Sequence, residues 1–406
     1  MKRIGILGGG QLSLMLAESL HALGARVAVY DPDPAAPARE RLPHVTTRPW
    51  TDGSALSAFA AGCDVVTYEL EHVPVRTVDT CAARTAVWPG MDVLRTTQDR
   101  AAEKRFLADN GVPHVPYRAV DSPHEVERAA VELGYPCVLK SARGGYDGKG
   151  QTLVTSPAAL RHALAHLADE RGGDAPEWVL EAFITLEAEL SCIVARDPDG
   201  HAVAFPVFEN MHRDHILDTT LLPARVPAAV AAQARALALD VAARLGVIGL
   251  LTVEFFLGTL EGPARHPGEP PRLYVNELAP RPHNSGHVTR NACTLNQFDA
   301  LARVLVGAPL VEPRVLGSQT FCMGNLLGDV WGTTGAGTLD LRPWRDHPAV
   351  IDVFLYGKRV PHPRRKMGHF VSVGADAAEA LGAAHAFRTA LAHGRATAPG
   401  TVKPAA

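Results

Sequence analysis

The sequence predicts a mixed α/β and α+β chain of three domains, and three stretches carry that prediction. Gly8-Gly9-Gly10 stands between an apolar run and an amphipathic helix, the opening of a doubly wound sheet. Arg143-Gly-Gly-Tyr-Asp-Gly-Lys-Gly150 follows a strand that carries Lys140, and so many glycines predict a flap able to wrap phosphates. Asn276-Glu-Leu-Ala-Pro-Arg-Pro-His-Asn-Ser-Gly-His287 leaves the apolar run Leu273, Tyr274, Val275 as an irregular loop, because its prolines and glycine forbid a helix. So much hydrogen-bonding capacity beside a buried strand predicts a ligand.

A length of 406 residues suggests about two or three domains, and 47% apolar with 20% charged residues is ordinary for a globular chain. A formal net charge of −3 gives no electrostatic reason for a nucleic-acid or anionic membrane partner. No apolar run approaches the roughly 18 residues that span a bilayer. No signal-peptide pattern precedes the first strand, so the cytosol is the expected compartment. Six scattered cysteines without a C-x-x-C pair predict buried thiols, not a zinc ribbon or disulfides.

Taken in order, residues 2–7 read as a buried strand, 11–23 as a helix stopped by Gly24, and 26–30 as a second strand ending at Asp31. Gly8, Gly10 and Asp31 mimic a dinucleotide fingerprint, with Ser13 at its third position. The simpler expectation is a phosphate on the free N–H groups of the helix N-terminus. Residues 64–68 form a strand, and Glu69 and Glu71 lie just past its carboxyl end, where open α/β sheets place ligands. The first domain is expected over 1–95.

The second domain is expected over 96–310, with a lid at about 115–185. A helix over 97–110 holds Asp99, Arg100 and Lys104 in its first turns, and an arginine set against the helix dipole points to a bound phosphate. Ser122-Pro-His-Glu125 is a capping box. Residues 178–181, Ala182-Phe183-Ile184 and Glu189 offer a backbone edge, an apolar slot and a carboxylate, which is what an adenosine needs. His212 and His215 fall in a turn, and an Ala-rich helix covers 228–244. Glu254 inside the run 250–256 and Glu277 on the next strand form a hard-cation site: oxygen ligands that leave positions for phosphate oxygens. A helix covers 297–306. A small β-rich domain is expected over 311–395, with Tyr356-Gly-Lys358 and Arg364-Arg-Lys-Met-Gly-His369 as a basic cluster, and a disordered tail over 396–406.

These pieces resemble the ATP-grasp ligases, and among them the 5-(carboxyamino)imidazole ribonucleotide synthases of purine biosynthesis. The resemblance runs from residue 2 to about 373. It rests on Gly8-Gly-Gly-Gln11-Leu12, Thr67-x-Glu69-x-Glu71, Asp99-Arg100, Gly144–Gly150, the stretch 276–287, Asn296-Gln-Phe298, Tyr356-Gly-Lys358 and Arg365-Lys-Met-Gly-His369. It departs at Ser13-Leu14, where the family has Gly-Arg, at Asn296, where serine is common, and at Ala279, where many ATP-grasp enzymes have asparagine.

The resemblance implies ATP-dependent carboxylation of 5-aminoimidazole ribonucleotide by bicarbonate, in a cytoplasmic homodimer with ATP and Mg²⁺, in two ions, at the site. It implies that Arg100 and Lys140 hold phosphates, beneath a flap of Gly145, Tyr146, Asp147, Gly148, Lys149 and Gly150, with Gln151 behind it. Glu181, Ala182, Phe183, Ile184 and Glu189 would hold the adenosine, with His212 approaching from its turn and Asn276 beside the metal glutamates Glu254 and Glu277. Tyr146, Asp147, Arg281, His283 and Lys358 would position the reacting groups, with either His283 or Asp147 taking the amine proton. Gln11, Leu12, Glu69, Lys358, Arg365 and Lys366 would meet the ribonucleotide. The same ATP-binding parts also suit a formate-dependent glycinamide ribonucleotide transformylase, and Gly8, Gly10 and Asp31 alone would suit a nicotinamide oxidoreductase.

Overall fold

Four buried residues in five make β1 (Arg3–Leu7) an interior strand. The structure is a computed structural model that describes residues 1–144, 150–169, 178–265, 268–331 and 339–393. After β1 come α1 (Gln11–Ala22), β2 (Arg26–Tyr30), α2 (Pro37–Arg41), β3 (Val45–Thr46), α3 (Gly53–Ala61), β4 (Val65–Tyr68), α4 (Val75–Ala82), β5 (Ala86–Val87) and α5 (Met91–Thr97). The five strands pair in parallel in the order β3-β2-β1-β4-β5. Strand order reverses between β1 and β4, which puts the Gly8 turn and Glu69 at the crevice where such sheets bind ligands. Gly8 has φ +102°, and a Cβ there would meet the side chains of Leu70 and Glu69, so only glycine fits.

The helix expected over 97–110 begins later, at Arg100, because Thr97 closes the preceding helix α5. The Asp99 carboxylate accepts the N–H groups of Ala101 and Ala102 and starts α6 (Arg100–Asp109), a stronger cap than Thr97 could supply. Then follow β6 (Tyr117–Val120), α7 (Pro123–Leu133), β7 (Cys137–Ser141), β8 (Gln151–Val154), α8 (Pro157–Asp169) and β9 (Trp178–Ala182). Ser122 caps α7 as its motif requires. Antiparallel pairing in the order β6-β9-β7-β8 makes a four-stranded lid sheet. Gly145, Tyr146, Asp147, Gly148 and Lys149 of the flap, and the tail 396–406, lie outside the described residues.

The remaining elements are β10 (Ile184–Arg196), β11 (Ala202–Ala204), β12 (Phe208–Arg213), β13 (Ile216–Leu222), α9 (Ala228–Arg244), β14 (Gly249–Leu260), β15 (Arg272–Ala279), α10 (Thr289–Ala292), α11 (Gln297–Val306), β16 (Thr320–Leu327), β17 (Val350–Leu355), β18 (Lys366–Gly374) and α12 (Ala377–His393). They form a nine-stranded sheet in the order β15-β14-β10-β12-β13-β16-β18-β17, with β11 beside β10. The boundary expected at 310 does not interrupt this sheet, because β16 pairs directly with β13. His212 lies on strand β12, not in a turn: Asp214 and His215, with φ of 51° and 64°, make the tight connection one residue later than Arg213. The loop after β15 is also more regular than expected, since Ser285–Val288 close a 3₁₀ turn.

Candidate active site

The lid sheet and the nine-stranded sheet enclose a cavity of about 400 Å³. Val138 and Lys140 of β7, Gln151 and Leu153 of β8, and Glu181 and Ala182 of β9 line it from the lid. Phe183, Ile184, Leu186 and Glu189 face it from the β9–β10 corner, and His212, Glu254, Phe256, Asn276 and Glu277 from the large sheet, while Arg100 enters from the start of α6. The expected adenosine, phosphate and metal residues that the structure describes therefore share one chamber, Gly150 excepted. Val115, Val138, Leu153, Leu186 and Phe256 supply apolar wall that the sequence reading missed. For the four on strands the signal was ordinary alternation, which core residues share, and Val115 precedes β6 in irregular chain.

Glu254 and Glu277 stand directly opposite each other on β14 and β15. Facing residues on paired strands have Cβ atoms about 5 Å apart, so the two carboxylates can share one ligand. Each has a nitrogen partner: His283 Nε2 lies 3.0 Å from Glu254 and Arg100 Nη1 3.2 Å from Glu277. Burial would raise the Glu254 pKa, but the His283 hydrogen bond and the charges of His212 and Lys366 outweigh it and hold it low. Among the described residues no three His, Cys, Asp or Glu side chains gather into a metal cage. A pair of carboxylates on rigid strands suits Mg²⁺, which binds through one or two carboxylates and completes its shell with water and substrate phosphates.

Deeper in, Glu181 is clasped by two lysines. Lys140 Nζ donates to its Oε2 at 2.7 Å, and Lys104 Nζ lies 3.3 Å from Oε1 at ion-pair distance. Burial pushes the Glu181 pKa up, yet Lys104, Lys140 and Arg100 hold it at about 2. Burial in turn lowers the Lys140 pKa, against the raising effect of Glu181. Glu181 thus orients Lys140 within the lid sheet, and Glu189 is a further carboxylate on the cavity wall. Glu189 pairs with His212 at 3.0 Å and raises its pKa against burial.

The loop 280–288 reaches two ways. Arg281 forms an ion pair with Glu71 beyond β4, so the first domain closes directly onto this loop. Burial lowers the Arg281 pKa to about 10. His283 turns toward Glu254, its Nδ1 2.8 Å from Ser285 Oγ, which meets Ser191 Oγ at 3.0 Å. Gln297, fully buried, accepts from the His283 N–H and donates to its carbonyl, each at 2.8 Å, and so fixes the loop.

Two expectations about the substrate end change. The N–H groups of Gly9 and Gly10 donate to Asp31 Oδ2 at 2.6 Å and Glu69 Oε1 at 2.9 Å, so the turn expected to hold phosphate already holds two carboxylates. Leu12 packs its side chain into the core, and only Gln11 is open at the helix start. In the basic cluster, Lys358 donates to the Lys366 carbonyl at 2.8 Å and its charge acts on Glu69. Lys366 acts on Glu254 and His212 instead, which places its charge at the metal side. Arg365 donates to the Val360 carbonyl at 2.7 Å.

Three family models match the chain: a ribonucleotide synthetase preATP-grasp domain over residues 1–98, an ATP-grasp domain over 105–298, and a phosphoribosylaminoimidazole carboxylase C-terminal domain over 322–383. An N5-carboxyaminoimidazole ribonucleotide synthase of Bacillus subtilis is 36% identical over 369 residues, which covers 90% of each chain. The chain belongs to the N5-carboxyaminoimidazole ribonucleotide synthase family. It also matches a bifunctional purine synthesis protein purC/E of Dictyostelium discoideum at 39% identity, over 76% of this chain and 30% of that one. Among solved members of the family, the Staphylococcus aureus N5-carboxyaminoimidazole synthetase complexed with ADP superposes with a TM-score of 0.83 at 32% identity, covering 95% of this chain and 97% of that one. The Aspergillus clavatus N5-carboxyaminoimidazole synthase in complex with ADP and 5-aminoimidazole ribonucleotide gives 0.81 at 29% identity, covering 96% and 98%.

Proposed function

We propose that the chain carboxylates the exocyclic amine of 5-aminoimidazole ribonucleotide with bicarbonate at the expense of ATP, as an ATP-dependent carbon–nitrogen ligase of purine biosynthesis. The observation that carries this reading is the facing pair Glu254 and Glu277 in one cavity with Lys140 and Arg100, beside a loop whose Arg281 reaches the first domain. Bicarbonate is a poor electrophile. Transfer of the ATP γ-phosphoryl group to its oxygen releases ADP and gives carboxyphosphate, whose breakdown to CO₂ and phosphate delivers carbon to the amine, which then loses a proton.

The residues divide this work. Glu189 and His212 with the β9–β10 corner hold the nucleoside, and Lys140 and Arg100 meet the phosphates. Glu254 and Glu277, with Asn276, would hold Mg²⁺, which when bound offsets charge on the phosphoryl oxygens. Arg281 and His283 orient the acid and amine partners between Glu71 and Glu254. Glu69 and Lys358, whose charges act on each other, would meet the ribonucleotide. Homodimer formation and a cytoplasmic location belong to the same proposal, and no helix among the described residues is long and apolar enough to cross a membrane. The test is phosphate release from ATP that requires both the aminoimidazole ribonucleotide and bicarbonate. Turnover with formate and glycinamide ribonucleotide instead would redirect the assignment within the ligases, and turnover with neither pair would remove it.

A further inference from the structure

Asn276 is the extra residue of a β-bulge. The β14–β15 ladder pairs Glu254 with Glu277 but Phe255 with Val275, so Asn276 has no partner across the strands. Consecutive side chains of a regular strand point to opposite faces, yet Asn276 and Glu277 both line the cavity. A bulge does this: it re-aims a side chain and leaves the extra residue's backbone outside the ladder.

Helix α6 takes hold of that backbone. Lys104 Nζ donates to the Asn276 carbonyl at 3.1 Å, and Glu103 Oε2 accepts the Leu278 N–H at 2.8 Å. Both side chains are sealed from solvent, each 1% exposed. Arg100, on the same helix face, pairs with the Glu277 carboxylate itself. Side chains at i, i+3 and i+4 thus grip three successive residues of β15. Glu103 does so with its second oxygen unpartnered among the described residues, a burial cost that a single strand hydrogen bond does not offset. Lys104 also touches Glu181, so the same grip ties the bulge to the lid strand that orients Lys140.

We propose that Glu103 and Lys104 are positioning residues: their hold on the bulge at Asn276 sets where Asn276 and Glu277 stand for a divalent cation bound with a nucleotide diphosphate. The inference rests on the ligase reading above.

Two variants separate reach from charge. Glu103→Gln keeps the length and the acceptor, while Glu103→Asp keeps the acid but is one methylene too short for Leu278. Mn²⁺ binding to the full chain in the presence of ADP is read by electron paramagnetic resonance, and ADP binding without metal by calorimetry. Glu103→Asp should weaken Mn²⁺ binding about 10- to 100-fold and lower kcat more than it raises KM for ATP, with Glu103→Gln within about threefold of the unaltered chain. Metal-free ADP binding should hold in both. Hydrogen exchange adds a measurement without a variant: the Leu278 amide should be protected before any ligand is added. Unchanged Mn²⁺ affinity in Glu103→Asp, equal damage in Glu103→Gln, or a rapidly exchanging Leu278 amide would each overturn the inference. An unaltered chain that binds no Mn²⁺ with ADP would instead remove the ligase reading, and this inference with it.

Discussion

His283 and His287 are four residues apart in one loop and live in opposite chemistry. His283 sits at the cavity edge between the Glu254 carboxylate and the Ser285 hydroxyl. His287 is fully buried, stacked on His369 with ring centroids 4.7 Å apart, and its Nε2 has no hydrogen-bond partner among the described residues. Burial, with the neighbouring His369 and Arg290, holds the His287 pKa well below the ordinary imidazole value, and burial takes His369 to about 3. Gln297 divides the two, bonding the His283 backbone with its amide while Nε2 lies 3.2 Å from His287 Nδ1. Histidine thus meets a carboxylate at one end of the loop and fills an aromatic seam with β18 at the other. A cost in turnover should mark the first end and a cost in stability the second.

The largest expected effect is at the metal pair. Glu277→Gln should lower turnover by about 10²- to 10³-fold or more while the melting temperature stays close to that of the parent. Retained turnover would break the assignment of the cavity end. His283→Gln should cost about 10²-fold in kcat, with ADP still bound, as expected for loss of a positioned proton-handling or hydrogen-bonding group. At the buried end, His287→Ala should lose about 2–4 kcal/mol in a urea melt, the range for cavities cut into packed cores, with turnover per folded molecule little changed. The opposite pattern, stability kept and turnover lost, would erase the contrast.

The smallest effect is in pH. The unfolded chain binds a proton on His369 near the ordinary value of about 6.5, whereas the folded chain resists until about pH 3. This contribution to stability is full above about pH 6.5 and is lost as pH falls toward 3, at up to about 1.4 kcal/mol per pH unit for each such histidine. Urea midpoints at pH 7, 6 and 5 should fall in that order, and His369→Gln should flatten the trend. A midpoint that does not move over this range would mean that the seam accepts charge.

Much of the site was legible because its chemistry is local. Lys140 before a glycine run, Glu254 alone in an apolar run, and the Pro-Arg-Pro-His stretch each announce a ligand by residue type and spacing. The starts and ends of α9 and α11 were equally readable, since an Ala-rich period and an Asn296 cap act within a few residues. Lys104 was noticed only as a charge near a helix start, and Glu103 not at all. Their i+3 and i+4 spacing from Arg100 was the available signal, but it also describes any solvated helix face.

Composition and motif order by themselves determined the class of chemistry, the parallel first sheet and the two acidic strands, because hydrogen-bonding type and hydrophobic period are properties of neighbours along the chain. Only tertiary structure decided that the Gly9 and Gly10 amides are spent on Asp31 and Glu69, that Glu181 accepts a hydrogen bond from Lys140, and that a bulge turns Asn276 toward the cavity. Each of those outcomes is a competition for one donor or acceptor among groups tens or hundreds of residues apart, and the winner is set by which strands and helices pack together.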